Sequence, residues 1–276
     1  MKYLKQTFAY LFLIERGKRV LLLYLLSIPV GISLAMMFPS YPFLQWVLRA
    51  DAEASGFWSN FTYGINGYVY WIGAGALLLT FVVFVALAST VVSRSMRMGK
   101  FRIVSVLADI NDGFFPAAYM ALTVIAAVTL LKTASSLVVG LWFRLSNPVL
   151  VSILNGAFTV AIGVVAMYLA TVLVAYFPLM IVNGLKPYSA FINSVRKCVR
   201  HKKHLFVGIF LPVATVTVGG ILVSLAANPL ASVLFDSFTY AFLVAYFIPF
   251  VLIAYYEIEG IGREDFTREY FFRKSK

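Results

Sequence analysis

Residues 71–92 read WIGAGALLLTFVVFVALASTVV, a run of 22 residues without a charged side chain. An α-helix of about 20 apolar residues spans the roughly 30 Å hydrocarbon core of a bilayer. In that core a helix is favoured because it satisfies its own backbone hydrogen bonds, which lipid cannot do. The stretch therefore predicts a transmembrane helix and places the chain among integral membrane proteins.

Five further segments share this length and apolar character. We predict them to span the membrane at residues 20–38, 116–143, 149–182, 205–227 and 238–256. The composition agrees, because 62% of the residues are hydrophobic and only 12% are charged, against about 25% charged in a typical soluble domain. The fourth span in chain order, residues 149–182, is longer than one crossing requires, and Pro178 is a kink site near its end. We expect one all-α polytopic domain over residues 1–276, with about six transmembrane helices and short interfacial amphipathic helices.

The basic residues are unevenly divided among the predicted loops. Twenty of the 23 Lys and Arg residues lie at the N-terminus, in the loops after the second and fourth spans, or in the tail over residues 257–276. Only Arg49, Lys132 and Arg144 lie elsewhere. Cytoplasmic segments of membrane proteins are enriched in Lys and Arg. The bias therefore predicts a multi-pass protein of the cell membrane with both termini in the cytoplasm.

Four segments have the pattern of helices that lie along the membrane surface rather than across it. They are residues 2–19, 41–53, 101–115 and 187–204. In the first, Leu4, Phe8, Leu11 and Phe12 share one helical face, with lysines elsewhere. This pattern predicts an interfacial N-terminal helix over residues 1–19 that leads into the first span.

The segment 187–204 is the most polarised of the four. Its apolar stripe consists of Phe191, Val195 and Val199, and its polar stripe of Asn193, Arg196, Arg200 and Lys203. A basic amphipathic helix of this kind binds anionic lipid headgroups through its charges. The same pattern is found in a helix that docks a cytoplasmic protein partner. Both interpretations of the basic stripe stay open.

Motifs of enzyme active sites and metal centres are largely absent from the sequence. There is no phosphate-binding glycine loop followed by Lys-Ser/Thr, and no His-Glu-x-x-His. Cys198, His201 and His204 are spaced three residues apart, but neighbouring lysines add positive charge and a closed zinc site needs a fourth ligand. We assign Glu257 and Glu259 to the membrane interface rather than to a catalytic pair. We predict no metal, no cofactor, no catalytic residue and no nucleic-acid partner.

Lys132 is the one charged residue inside a predicted span. A charge within the membrane is costly and is a functional hypothesis by default. Thr129, Thr133 and Ser136 share its helical face, and these four residues form our candidate ligand-binding site. In one interpretation the amine reaches water from the outer half of the membrane. In the other it is buried, where it binds an anionic group or pairs with Asp236.

Residues 175–212, AYFPLMIVNGLKPYSAFINSVRKCVRHKKHLFVGIFLP, resemble the YesL-type family of small bacterial polytopic membrane proteins. In that family a span with a Phe-Pro-Leu-like end is followed by an amphipathic segment rich in Asn and basic residues, then by another span. Residues 23–42, with Ser27 and Pro29, are similar to the Ser-x-Pro element of the family's first span, whereas the long loop of residues 39–70 departs from the family pattern. The resemblance implies a protein of unknown molecular activity, often associated with carbohydrate-uptake systems.

We expect a non-enzymatic protein that is transport-associated or accessory to a membrane transport system. Its expected partners are anionic lipid headgroups and other membrane transport subunits. One alternative is a permease subunit of an ABC importer, whose cytoplasmic loop carries Glu-Ala-Ala, a Gly and then Ile-x-Leu-Pro. Residues 209–212 match the end of this signature, but Asn193 and Val199 stand where the Glu and Gly are required. A membrane-embedded enzyme acting on lipid is a further alternative, for which Lys132 and the two glutamates after the sixth span are the available polar groups.

Overall fold

A computed structural model describes residues 2–13, 18–41, 44, 67–99, 105–142, 147–226 and 228–263. All regular secondary structure within these ranges is helical. The helices are α1 (Lys2–Phe8), α2 (Lys18–Met37), α3 (Gly67–Thr80), α4 (Ala86–Met98), α5 (Val106–Trp142), α6 (Pro148–Val172), α7 (Tyr176–Asn183), α8 (Pro187–Cys198), α9 (Lys202–Leu225) and α10 (Pro229–Glu259). Shorter helical segments extend α1 (Ala9–Leu13), join α3 to α4 (Phe81–Val85) and join α8 to α9 (Val199–His201).

Six helical segments are long and apolar enough to cross a membrane, which confirms the predicted fold class and number of spans. Among the described residues, they are formed by α2, by α3 with α4, by α5, by α6 with α7, by α8 with α9 and by α10. Each predicted span lies largely within one of them. The chain is therefore a polytopic helical membrane protein.

The third span begins earlier than predicted. α5 runs without interruption from Val106 to Trp142, so the described part of the predicted surface segment 101–115 is not a separate interfacial helix. A helix of 37 residues is about 55 Å long at 1.5 Å per residue, well beyond the hydrocarbon thickness. α5 must therefore tilt or project from the hydrocarbon, and the carboxylates of Asp109 and Asp112 in its first turns favour projection at that end. The predicted surface segment 41–53 lies almost wholly outside the described residues.

The fourth span is interrupted close to its predicted kink. α6 ends at Val172, a turn occupies residues 173–175, and α7 begins at Tyr176. Pro178 has no amide hydrogen with which to bond the carbonyl four residues earlier, and the turn contains that carbonyl. The interruption divides the fourth span into α6 and the short helix α7.

Polar contacts at the two ends of the bundle establish the alternating direction of the spans. At one end the contacts are Tyr10 with Ser95, Asn183 with Tyr255, and Arg97 with Tyr256. At the opposite end they are Ser40 with Asp236, Phe38 with Tyr240, and Ser224 with Ser232. The first end contains α1, α8, the starts of α2, α5 and α9, and the ends of α4, α7 and α10. We call it the basic end, because these parts carry the Lys and Arg residues of the N-terminus and of the segment 187–204.

The spans form an inner and an outer group. About half of the residues in the membrane-crossing windows of α3–α4 and α10 are buried (50% and 56%), against 11% in α5 and 17% in α6 and α9. α2 and α10 share the most extensive packing in the molecule. The outer helices expose large apolar side chains such as Leu130, Val160 and Leu222, which is the surface expected to face lipid.

The N-terminal segment packs against the bundle more closely than predicted. In α1 and its extension, Tyr3, Tyr10 and Leu11 are buried, and α1 contacts α9 and α10. The predicted apolar face is thus only partly an outward face, because Leu11 points inward. Phe8 and Phe12 remain exposed and stack on one another with ring centroids 5.9 Å apart. The outward position of these two rings is what the predicted interfacial helix requires.

Candidate functional site at the basic end

The predicted basic segment 187–204 folds as α8, the short Val199–His201 helix and the first residues of α9. Pro187 lies in the first turn of α8, where a missing amide hydrogen removes no bond within the helix. The buried face consists of Ala190, Ser194 and Cys198, spaced four residues apart. Small side chains allow α8 to approach α7 and α6 closely.

The two predicted stripes of this segment lie mostly on its outward surface, although Val195 and Asn193 are half-buried. Tyr188, Phe191 and Val199 are 77%, 46% and 41% exposed. The basic residues Arg196, Arg200 and Lys203 are exposed as well. The surface of α8 therefore presents apolar and cationic side chains side by side, while a third set of residues makes the inward contact.

Two polar contacts hold α8 in this orientation. The Ser194 hydroxyl donates to the Val172 carbonyl at 3.0 Å, which satisfies one of the acceptors left open where α6 ends. Lys197 forms an ion pair with Glu259 at 2.5 Å. Because both contacts come from the inward side of α8, they leave its outward side chains available to lipid or to a partner.

Glu257 and Glu259 tie the surface helices to the end of α10. Glu257 accepts hydrogen bonds from Lys2 at 2.5 Å and from Gln6 at 2.8 Å, while Glu259 pairs with Lys197. The hydrogen bond to the Glu257 carboxylate raises the pKa of the Lys2 amine. The two glutamates thus connect α1 and α8 to the same helix end.

The Cys198–His201–His204 string does not converge on one point. Cys198 is buried in the inward face of α8, whereas the His204 side chain is exposed. Within the described ranges, no group of three His, Cys, Asp or Glu residues is arranged to hold a metal ion.

A further ion pair joins the end of α4 to the start of α5. The Asp109 carboxylate is fully buried, and both terminal nitrogens of Arg94 donate to it, with an Nη1–Oδ2 distance of 3.2 Å. The Thr90 hydroxyl donates to the backbone carbonyl of Asp109 at 3.2 Å. A buried carboxylate requires such a partner because its desolvation is costly. Our sequence reasoning counted Arg94 only as a loop charge and missed this pair.

A polar cleft of about 240 Å³ lies beside this ion pair, where α4, α5 and α7 meet at the basic end. Its lining includes Ser93, Arg94, Arg97, Met98, Asp112 and Ile181. The Nε of Arg97 donates to the Tyr256 hydroxyl at 3.0 Å, which fixes one edge of the guanidinium. Within the described part of the chain, neither Asp112 nor the hydroxyl of Ser93 has a hydrogen-bond or ion-pair partner. The sequence reasoning did not single out this cleft.

The predicted ligand-binding strip on α5 is described in part. Thr129 donates to the Ile125 carbonyl at 2.8 Å and contacts the Tyr70 hydroxyl at 3.0 Å, and Thr133 donates to the carbonyl of Thr129. Both threonine hydroxyls are therefore engaged within the protein. The side chains of Lys132 and Ser136 lie outside the described residues, so the ligand site stays a prediction.

Asp236, the predicted partner of Lys132, has contacts of its own at the opposite end. Its carboxylate is buried and accepts from the amide and the hydroxyl of Ser40, at 2.7 and 2.6 Å. Tyr240, one turn later, donates to the Phe38 carbonyl at 2.9 Å. These contacts join the end of α2 to the start of α10. The pairing of Asp236 with Lys132 stays a prediction.

No protein-family model, curated protein or solved structure matches the chain. The similarity to the YesL-type family therefore stays a prediction that rests on the residues quoted for it.

Proposed function

We propose that this is a non-enzymatic multi-pass protein of the cell membrane, accessory to a membrane transport system, whose basic end rests on anionic headgroups at the cytoplasmic surface. The observation that carries the proposal is the outward surface of residues 187–204. Arg196 in α8, Arg200 in the following short helix and Lys203 at the start of α9 are exposed there. The exposed rings of Tyr188 and Phe191 belong to the same segment. The transport association is supported by the family resemblance alone.

The chemistry of this surface favours a bilayer interface over water. The rings of Tyr188 and Phe191 suit the boundary between headgroups and acyl chains. Each basic residue near an anionic membrane contributes about 1 kcal/mol of attraction. α8 itself contains no acidic residue that would offset this attraction. Apolar contact and charge therefore act in the same direction.

The geometry does not favour a permease subunit of an ABC importer. Residues 209–212, the match to the loop signature, lie inside α9 rather than in a loop. Ile209 is buried, and the preceding Gly208 lies so close to Phe250 that an added Cβ would stand 2.4 Å from that ring. The signature belongs to a cytoplasmic loop, whereas this element is part of a membrane-crossing helix.

The lipid-processing alternative is weakened in a similar way. Its candidate carboxylates, Glu257 and Glu259, are engaged by Lys2 and Lys197. A general acid or base needs a carboxyl group that can reach the proton it transfers. The two ion pairs hold these groups against α1 and α8 instead.

Replacing Arg196, Arg200 and Lys203 together with Gln should weaken binding of phosphatidylglycerol to the full-length protein at least tenfold. Three cations at about 1 kcal/mol each amount to more than the roughly 1.4 kcal/mol that a tenfold change requires. Binding is measured by native mass spectrometry of the purified protein titrated with phosphatidylglycerol against phosphatidylcholine. The matched control is the charge-retaining triple change Arg196→Lys, Arg200→Lys and Lys203→Arg, which should keep the lipid bound.

A different outcome would indicate that this surface binds a protein partner instead of lipid. If the Gln variant binds phosphatidylglycerol as strongly as the unaltered protein but loses a transport subunit that co-purifies from native membranes, the headgroup proposal is wrong. The outward surface of α8 would then be a docking surface within a membrane complex.

A further inference from the structure

The cleft between α4, α5 and α7 is not used by the proposed role of α8. Arg97 is held at one edge by Tyr256, which leaves its two terminal nitrogens without a partner among the described residues. Ser93 is 8% exposed and lines the cleft, and its hydroxyl has no hydrogen-bond partner in the described part of the chain. A hydroxyl without a partner and an open guanidinium on the same lining indicate a place for an anionic oxygen.

The same cleft also offers a negative group. Asp112 lies on its lining and forms no ion pair with either arginine of the cleft. Arg94 is neutralised by the buried Asp109, so Arg97 and Asp112 remain as one positive and one negative charge. A simple anion would be attracted by the first and repelled by the second. A ligand carrying both charges satisfies both.

We propose that this cleft binds a zwitterionic phosphate–amine group of the phosphoethanolamine type. Its phosphate oxygens accept hydrogen bonds from the terminal nitrogens of Arg97 and from the Ser93 hydroxyl, and its ammonium group donates to the Asp112 carboxylate. Met98 and Ile181, which also line the cleft, contact the ethylene carbons between the two charges.

The size of the cleft agrees with a headgroup. A volume of about 240 Å³ lies below the roughly 300–1,000 Å³ of pockets for drug-sized ligands. It equals the liquid volume of about eight water molecules at roughly 30 Å³ each. The cleft suits a small polar group rather than a larger metabolite.

The position of the cleft also fits a membrane lipid. Asp112 is the seventh residue of α5, and the carboxylates of Asp109 and Asp112 favour a position of its first turns beyond the hydrocarbon. Arg97 lies in the last turn of α4. The cleft therefore opens at the level of the headgroups, where phosphatidylethanolamine presents this chemistry, although a soluble phosphate–amine presents it too.

The test is native mass spectrometry of the full-length protein titrated with phosphatidylethanolamine, phosphatidylglycerol and phosphatidylcholine of identical acyl chains. We expect phosphatidylethanolamine to bind most strongly at one site, because choline cannot donate a hydrogen bond to Asp112. Asp112→Asn should weaken phosphatidylethanolamine about tenfold, or about 1.4 kcal/mol, without weakening phosphatidylglycerol. Arg97→Gln should weaken both lipids. Asn111→Ala, an exposed change one residue from Asp112 and outside the lining, should weaken neither.

Thermal unfolding confirms that each variant is folded, and both substituted charges are at exposed positions. Soluble O-phosphoethanolamine in excess separates the two sources of the ligand. If it displaces the bound lipid, the site takes the free phosphate–amine as well; if it does not, the site takes the lipid. Equal binding of all three lipids, or an unchanged preference in Asp112→Asn, would overturn the proposal. Neither result depends on the α8 triple variant.

Discussion

Arg94→Gln should destabilise the protein by about 3 kcal/mol, because it leaves the carboxylate of Asp109 buried without its cationic partner. Breaking a buried ion pair from one side costs roughly 3–5 kcal/mol. We place the loss at the low end of that range because the Arg94 side chain is 26% exposed while that of Asp109 is 0% exposed. Water reaching the arginine position offsets part of the penalty. The measurement is thermal and denaturant unfolding of the purified protein in detergent.

Two comparisons make this prediction specific. Arg97→Gln removes the next arginine along α4, whose side chain is exposed and makes a hydrogen bond to Tyr256 but no ion pair in the described part of the chain. That change should cost less than about 1 kcal/mol. The double change Arg94→Met with Asp109→Leu should recover most of the stability, because no charge is then left buried. Equal losses for Arg94→Gln and Arg97→Gln would contradict the structural role of the pair.

Gly31→Ala should destabilise the bundle by about 1–3 kcal/mol, the usual cost of overpacking a core. A Cβ added at Gly31 would stand 2.4 Å from the Ser237 carbonyl oxygen and 2.6 Å from the Ala241 amide nitrogen. Both are backbone atoms of α10, so no side-chain rotation relieves the clash. α2 and α10 must separate along the most extensive packing in the molecule.

Gly75→Ala is the matched control for that change. Gly75 also lies in a span, α3, but beyond its own helical turn no heavy atom of the described residues lies within 4 Å of an added Cβ there. Alanine is more favourable than glycine in a helix by up to about 1 kcal/mol, so this variant should be unchanged or slightly more stable. Unfolding temperatures of the two variants and of the unaltered protein are compared in one detergent. A Gly31→Ala protein as stable as Gly75→Ala would show that α2 and α10 are not held at this distance.

The fold class was predictable because a membrane-crossing helix requires an uninterrupted run of apolar residues in the sequence. A run such as residues 71–92 is apolar throughout, because every side chain in it contacts lipid or a neighbouring helix. The local sequence alone therefore predicts the span. The Arg94–Asp109 pair carries no such local signal. Its two members are 15 residues apart in the sequence, and only the packing of α4 against α5 brings them together. Charge counting assigned Arg94 to a loop, and Asp109 fell in the predicted surface segment 101–115.

The faces of α8 show a second limit of pattern reading. Hydrophobicity singles out Phe191 and Val199, yet the residues buried against the bundle are Ala190, Ser194 and Cys198. Close packing of membrane helices selects small side chains, and a small side chain has little weight in a hydrophobic pattern. The cleft was missed for a related reason, because Ser93 and Asp112 acquire their significance from the three helices that surround them.

The central claim is that the basic end lies at the cytoplasmic face of the membrane, and cysteine labelling in intact cells tests it most directly. Single cysteines are introduced at Ser189, exposed on α8, and at Ser59, in the segment between α2 and α3, each in a Cys198→Ala background. An impermeant thiol reagent should label Ser59→Cys in intact cells and Ser189→Cys only after the membrane is permeabilised. Labelling of Ser189→Cys in intact cells, with Ser59→Cys protected until permeabilisation, would contradict the account.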